Sequence, residues 1–301
     1  MRVLSTKSEQ EVADCANSLR NRLAECFGIS EPEHVIFTNG VTTSLRLIFA
    51  GLNVRKLILG PEEYCSPIHF FPLDVTVADE HDLLAAVQSS NAQAIILSTV
   101  AWTGRSFNVS EVFYGLRKAL GPKCPILVAD YSHAGAAGFP AIETLNADLV
   151  VGDLQKWLLP NGVADELCFA YPCSSFLHYA CEKVFTGCFL ATESTIPNMV
   201  RWISPTQITL ATKWATRVNV TKAFLAERHR DNEKLRERLL SEMNCVDSGT
   251  LIVWMQSGTA VPQWLNDDLV WKTGSGVRIM CRADVQKLKK KSTRKDAQEL
   301  P

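Results

Sequence analysis

The chain has 301 residues, of which 47% are hydrophobic, and its 31 Lys and Arg residues nearly balance 32 Asp and Glu residues for a formal charge of −1. This length is enough for about two domains, and the composition excludes a disordered or low-complexity protein. The near-neutral charge provides no general attraction to nucleic acid or anionic lipid. No apolar run approaches the ~20 residues that span a bilayer, and the first residues lack a secretory signal, so we expect a cytoplasmic protein.

Ten cysteines are spread along the chain without a recognisable spacing. No two form a Cys-x-x-Cys pair, and several stand in apolar surroundings, as Cys168 does between Leu167 and Phe169. We therefore predict reduced, largely buried thiols rather than a disulfide framework. The cysteines from 168 to 188 lack zinc-ligand spacing and paired histidines, so no metal site is expected.

Short apolar strands alternate with helical segments over the first 150 residues. Helical periodicity covers residues 8–27, 42–51, 82–89, 109–120 and 141–145, and strand-like runs cover residues 34–37, 56–59, 94–100, 125–129 and 148–151. This alternation is typical of parallel strands joined by helical crossovers, with helices covering both faces of the sheet. The sequence therefore predicts an α/β fold, whose ligands bind beyond the carboxyl ends of the strands.

The pattern changes after residue 205. A long charged helix is predicted over 206–244, and strands over 250–254 and 276–280. We interpret residues 1–205 as a large domain and 206–285 as a smaller α+β lobe. The basic run 286–301 is predicted to be a flexible, solvated tail rather than a nucleic-acid patch.

Polar residues follow several predicted strands and would meet at one edge of the sheet. These residues are Thr42, Thr43, Tyr64, Trp102, Thr103, Asp130, His133 and Lys156. A lysine in an apolar site is costly unless it is paired, neutral or covalently used, and a desolvated lysine can form a Schiff base. An aspartate beside a pyridine nitrogen keeps that nitrogen protonated and makes the ring an electron sink.

Two segments, HVIFTNGVTTSLRLIFAGL and LVADYSHAGAAGFPAIETLNADLVVGDLQKWL, resemble fold-type-I pyridoxal 5'-phosphate (PLP) enzymes of the class V aminotransferase and cysteine desulfurase superfamily. The first is similar to the family's strand, Gly-x-Thr turn and helix, and the second to its Asp-x-x-His and lysine blocks. The residues after the Asp and the Lys are similar to the isopenicillin-N-epimerase-like and cysteine-lyase-like branch. The resemblance covers residues 10–172, with a short match at 270–285. It implies a PLP-dependent transferase-like large domain with a mostly parallel sheet, plus the smaller lobe.

The resemblance implies roles for three residues that follow the strands. Lys156 would form the Schiff base with PLP and move the α-proton of the substrate. Asp130 would pair with the pyridine nitrogen, and His133 would lie near the phenolic oxygen or the ring.

It also implies cofactor and substrate contacts elsewhere in the chain. Thr42 and Thr43, with the N–H groups at the start of their helix, would hold the phosphate, since a helix N-terminus is a ready anion site. Tyr64 would stack on the ring. Arg278 would grip the substrate carboxylate, with Arg282 as the alternative.

The chain departs from the superfamily pattern at several points. Gln155 stands where His is usual, although it can still donate a hydrogen bond to phosphate. Asp153 stands where Ser or Thr often touches phosphate, and a carboxylate there would repel it unless it turns away or caps a neighbour. Residues 255–277 contain no cysteine, which disfavours desulfurase chemistry. The chain also looks shortened at both ends.

Each candidate has an ordinary structural alternative. These are a surface lysine for Lys156, an N-cap for Asp130, a core histidine for His133, helix capping for Thr42 and Thr43, core packing for Tyr64 and a surface ion pair for Arg278.

The resemblance implies a homodimeric PLP enzyme of the class V aminotransferase type that acts on a small amino acid by transamination, elimination or epimerisation. The alternative is a catalytically degenerate or truncated relative that acts as a binding or interaction protein. A nucleotide-binding protein is disfavoured, since the chain has no G-x-G-x-x-G after its first strand and no G-x-x-x-x-G-K-[ST].

Overall fold

A computed structural model describes residues 9–38, 40–63, 70, 72–158, 167–175, 177–181, 220–256, 258–266, 269–273 and 276–283. The α-helices are α1 Glu9–Phe27, α2 Val41–Gly51, α3 Leu83–Ser90, α4 Val109–Leu120, α5 Gln155–Leu158 and α6 Lys222–Glu242. The strands are β1 Ile36–Thr38, β2 Lys56–Leu59, β3 Asp74–Val77, β4 Ala94–Ser98, β5 Ile126–Asp130, β6 Leu149–Asp153, β7 Cys168–Pro172, β8 Cys245–Asp247, β9 Ile252–Gln256, β10 Val270–Thr273 and β11 Gly276–Met280. Within these ranges, no helix has both the length and the apolarity needed to cross a membrane.

The first seven strands form one mixed sheet in the order β1-β7-β6-β5-β4-β2-β3. Strands β2 to β6 are parallel, and β7 runs antiparallel between β6 and β1. Because β1 opposes β7, it runs in the same direction as β6. The carboxyl ends of β1, β4, β5 and β6 therefore lie at one edge, where ligands of such sheets bind.

Helices cover both faces of this sheet. Ile95 and Leu97 of β4 are buried on one face with residues of α1 and α4, such as Leu19 and Phe113. The alternating residues of β4 are buried on the other face with residues of α2. Burial on both faces explains the continuous apolar runs in the central strands. The predicted mostly parallel α/β sheet is confirmed.

The last four strands form a second, antiparallel sheet in the order β10-β11-β9-β8. Leu235 and Leu239 of α6 belong to its apolar core, together with Ile252 and Ile279. This sheet falls within the small lobe predicted over 206–285. The predicted boundary at 205 and the tail 286–301 lie outside the described residues.

Candidate functional site

Asp130 ends the central strand β5 at the carboxyl edge of the sheet. Its side chain is buried, and one carboxylate oxygen accepts a hydrogen bond from the backbone N–H of Ser132 at 2.8 Å. Its carbonyl accepts from the backbone N–H of Thr99 at 2.9 Å, which continues the pairing with β4. The sequence therefore places a buried, oriented carboxylate in the middle of the ligand edge.

His133 lies three residues after Asp130, where a 3-10 turn over Ala134–Ala137 begins. The ring is only 5% exposed and stands edge-on to Trp157, with 6.3 Å between the ring centroids. Burial lowers the pKa of His133 well below its ordinary value, and the positive charges of Lys156 and Arg278 lower it further. Its Nδ1 atom has no hydrogen-bond partner among the described residues. His133 is therefore a neutral imidazole with one buried polar atom left for a ligand.

Lys156 lies in the first turn of the short helix α5, directly after β6. Its Nζ atom is 3.6 Å from a carboxylate oxygen of Asp153, and the Lys156 side chain is 28% exposed. Position 152, just before this pair, requires glycine, because a Cβ there would come within 2.5 Å of the Phe169 ring on β7. Gln155 belongs to the same helical turn, but its side chain lies outside the described part of the chain.

Arg278 reaches the same region from the second sheet and is 2% exposed. Its Nε donates to the carbonyl of Trp102 at 2.5 Å, and its Nη2 lies 3.5 Å from Nε2 of His133. Arg282 instead donates from Nη1 to the carbonyl of Lys156 at 2.6 Å. Of the two predicted arginines, Arg278 is therefore the one that faces His133, while Arg282 holds the backbone of α5.

The start of α2 lies at the carboxyl end of β1, on the same edge of the sheet. Gly40 precedes the helix with a φ of 104°, a conformation that favours glycine. The first backbone hydrogen bond of α2 runs from the N–H of Ser44 to the carbonyl of Gly40. The N–H groups of residues 41–43, including that of Thr42, thus belong to the first turn of α2, and the first turn is the part of a helix that binds anions. The side chain of Thr43 and the whole of Tyr64 lie outside the described residues.

Glu63 is a candidate site residue that the sequence does not predict. Its two carboxyl oxygens accept hydrogen bonds from the backbone N–H of Ser98 at 2.6 Å and from its Oγ at 2.5 Å. Burial, together with the negative charge of Asp130, raises the pKa of Glu63 to about 8. A second carboxyl group, largely protonated at neutral pH, therefore stands beside Asp130. Its only signal in the sequence is its place next to Tyr64.

The fold of the chain is similar to that of several solved structures, three of which are an aminotransferase, a C-S lyase and a cysteine desulfurase. A ureidoglycine-glyoxylate aminotransferase from Bacillus subtilis is 11% identical, with a TM-score of 0.64 over 95% of this chain and 87% of that one. The cystine C-S lyase C-DES, in a mutant with glycine covalently linked to its PLP cofactor, is 14% identical, with a TM-score of 0.66 over 97% and 87%. A cysteine desulfurase from Escherichia coli is 12% identical, with a TM-score of 0.59 over 97% and 87%.

The chain therefore has the fold of these aminotransferase, C-S lyase and cysteine desulfurase structures. The fold implied by the sequence resemblance is therefore confirmed. No family model matches the sequence, and no curated protein matches it. The names of the three neighbours cover amino-group transfer, C–S cleavage and desulfuration, so the shared fold does not select one reaction.

Proposed function

We propose that the chain is a PLP-dependent enzyme of the class V aminotransferase type that acts on a small amino acid through Lys156. One observation carries the proposal. The positive charges of Lys156 and Arg278 both act on the buried ring of His133 and lower its pKa. This ring stands three residues after Asp130, at the ligand edge. Acid, base, amine and guanidinium groups thus converge where α/β sheets bind their ligands.

The described residues fit the polar groups of PLP. The carboxylate of Asp130 suits a protonated pyridine nitrogen, and the first turn of α2 suits a phosphate. Lys156 supplies an amine for the aldehyde carbon. The buried Nδ1 atom of His133, which lacks a partner in the described structure, suits the phenolic oxygen. A buried polar atom without a partner is costly, and a bound ligand explains why it is retained.

PLP, when bound, supplies an electron sink for negative charge that develops at the α-carbon of an amino acid. Asp130 would keep the pyridine nitrogen protonated, and His133 would orient the ring through its phenolic oxygen. The Nζ atom of Lys156 would hold the cofactor and then take the α-proton from the substrate and return it. Arg278 would bind the substrate carboxylate with its guanidinium group.

The surroundings of Arg278 support a small substrate. Its guanidinium carbon lies 4.9 Å from the ring centre of Trp102 and 5.4 Å from that of Trp271. Trp254 stands edge-on to Trp102 at 5.5 Å between ring centres. Indole rings therefore crowd the guanidinium group, and this crowding favours an amino acid with a short side chain. The sequence resemblance adds the expectation of a homodimer.

A degenerate relative is the second candidate, and the ion pair between Asp153 and Lys156 favours it. The carboxylate lies 3.6 Å from Nζ and is nearly buried, so it engages the amine that PLP needs. In this alternative the protein would keep the fold and bind PLP weakly or not at all. A single spectroscopic experiment separates the two candidates.

The experiment records the absorbance spectrum of the purified protein with PLP before and after borohydride reduction. The proposed enzyme gives a visible band, and reduction fixes the pyridoxyl group onto the peptide that contains Lys156. Lys156→Ala removes both signals, while the exposed Lys118→Ala on α4 keeps them. Equal labelling of wild type and Lys156→Ala would refute the proposal and favour the degenerate relative. If Lys156 captures PLP, a panel of amino acids is then added to the PLP-bound protein, and the product identifies the reaction.

A further inference from the structure

Arg278 and His133 meet although 145 positions separate them in the sequence. The Nη2 atom of Arg278 lies 3.5 Å from Nε2 of His133, and both side chains are almost fully buried. A guanidinium group has five N–H donors and no acceptor. Nε2 of His133 must therefore be the unprotonated nitrogen, because a proton on it would point an N–H bond at another N–H bond.

The other ring nitrogen then carries the proton. Protonating both nitrogens would put a third positive charge beside Lys156 and Arg278 in a buried place, and Trp157, the aromatic neighbour of the ring, offers no negative charge. The neutral ring with Nδ1–H is the form that remains. This Nδ1 is the atom that has no partner among the described residues.

The two sheets hold Arg278 in place for this role. Trp271 of β10 and Trp254 of β9 are its direct cross-strand neighbours. Trp102, from the loop after β4, lies over the guanidinium group and accepts a hydrogen bond from its Nε. The Nε1 atom of Trp254 donates to the carbonyl of Thr103 at 2.5 Å in the same loop. Cation–π contacts and two hydrogen bonds between the sheets thus fix the guanidinium plane.

We propose that Arg278, held between Trp102 and Trp271, is a positioning residue that fixes His133 in the neutral tautomer with its proton on Nδ1. His133 then presents a buried N–H donor to an acceptor oxygen at the ligand edge. The identification of that acceptor as the phenolic oxygen of PLP rests on the proposed function, whereas the tautomer does not. Arg278, which would bind the substrate carboxylate, thereby also determines which nitrogen of His133 donates a hydrogen bond to the cofactor.

The test is a nitrogen NMR spectrum of the histidine rings in the protein without PLP at pH 7. Labelled histidine gives signals for the six His residues, and those lost in His133→Gln belong to His133. The expected spectrum has a protonated Nδ1 and an unprotonated Nε2, the reverse of the tautomer that free imidazole side chains prefer. A proton on Nε2, or on both nitrogens, overturns the proposal directly from the wild-type spectrum.

Variants test the role of Arg278 and its indole neighbours. Arg278→Met keeps an apolar chain between the rings but removes the donor, and it should return His133 to a majority of the Nε2–H tautomer. Trp271→Leu should give a mixture. The matched controls are Arg238→Met and Trp264→Phe, since this pair makes the same contact at 4.0 Å elsewhere in the lobe. An unchanged His133 spectrum in folded Arg278→Met refutes the positioning role.

The spectrum separates this inference from the proposed function. Failure of PLP to react with Lys156 would remove the cofactor assignment but leave the tautomer of the free protein unaffected. Conversely, a wrong tautomer with normal PLP capture would remove the role of Arg278 and the Nδ1–H donor of His133, but it would leave the role of Lys156 intact. In a protein that binds PLP, we expect the Nδ1 signal of His133 to shift on binding and the Nε2 signal to remain unprotonated.

Discussion

The Nζ atom of Lys156 lies 3.6 Å from a carboxylate oxygen of Asp153, the last residue of β6. The pair joins the residue expected to bind the cofactor to a residue that departs from the pattern of the sequence resemblance. The Asp153 side chain is only 9% exposed, so water screens its charge weakly. An anion held at the start of α2 would lie at the same edge of the sheet as this negative charge.

Replacing Asp153 with asparagine should tighten PLP binding. The change removes a negative charge near the expected phosphate position and frees Lys156 from its ion pair. We expect the dissociation constant to fall by roughly three- to tenfold, the ~1 kcal/mol scale of a partly screened charge pair. Titration of the absorbance change with PLP measures it. Asp247→Asn, which breaks an ion pair with Arg236 outside the site, is the control. Weaker binding in Asp153→Asn would show that the carboxylate assists the cofactor.

Glu63 should make stability depend on pH. Its pKa is raised from 4.5 to about 8 in the folded protein, so the folded chain keeps a proton that the unfolded chain loses. Between these values the folded state binds more protons, and the free energy of unfolding therefore falls as pH rises, by at most ~1.4 kcal/mol per pH unit. The full contribution is present below the unfolded value and is lost by about pH 8.

Urea unfolding of wild type and Glu63→Gln at pH 5, 6.5 and 8 measures this dependence. The variant cannot titrate at position 63, so its stability should fall less over this interval, and the difference between the two proteins should change steadily with pH. Asp130→Asn should reduce the effect, because the negative charge of Asp130 contributes to the raised pKa of Glu63. Parallel pH profiles for wild type and Glu63→Gln would contradict the assignment.

Much of the fold follows from apolar periodicity in the sequence. The helix over 109–120 and the strands over 56–59 and 276–280 are predicted at the bounds observed for α4, β2 and β11, because one face or both faces of each are buried. The prediction misses β3 because its residues are half-buried or exposed at the sheet edge and carry no clear alternation. It also misses the antiparallel β7, whose direction depends on its neighbours β1 and β6 rather than on local pattern.

The candidate site divides in the same way. The common edge of Asp130, His133 and Lys156 can be predicted because each lies at the end of a strand or within a few residues after it. Glu63 cannot, because its partner Ser98 lies 35 positions away and only the parallel pairing of β2 with β4 brings them together. The indole rings around Arg278 likewise come from β9, β10 and the loop after β4.

Arg278→Lys should weaken the recognition of a substrate carboxylate. Lysine keeps the positive charge but loses the planar fork that binds a carboxylate through two hydrogen bonds. Under the proposed function, we expect KM for the best amino acid to rise roughly ten- to a hundredfold, with a smaller change in kcat. The decarboxylated amine of the same substrate is the control ligand, and its binding to wild type and variant should be similar. An equal loss for both ligands would place the substrate carboxylate elsewhere.

Gly135→Ala should destabilise the protein and disturb the packing beside His133. A Cβ at this position would come within 2.6 Å of the Cβ of Trp157 and 2.8 Å of the Phe139 ring. Trp157 is buried against His133, so the ring cannot move away without shifting the imidazole. We expect a loss of about 1–3 kcal/mol in the free energy of unfolding, as for other overpacked cores.

Gly115→Ala in α4 is the matched control for this substitution. Nothing lies within 4 Å of a Cβ at Gly115, and an exposed helix interior favours alanine over glycine by roughly 0.5–1 kcal/mol. Urea unfolding should therefore give opposite signs for the two Gly→Ala changes, and the histidine spectrum should change only for Gly135→Ala. If Gly135→Ala leaves both stability and the His133 signals unchanged, the packing of Trp157 does not hold the imidazole in place.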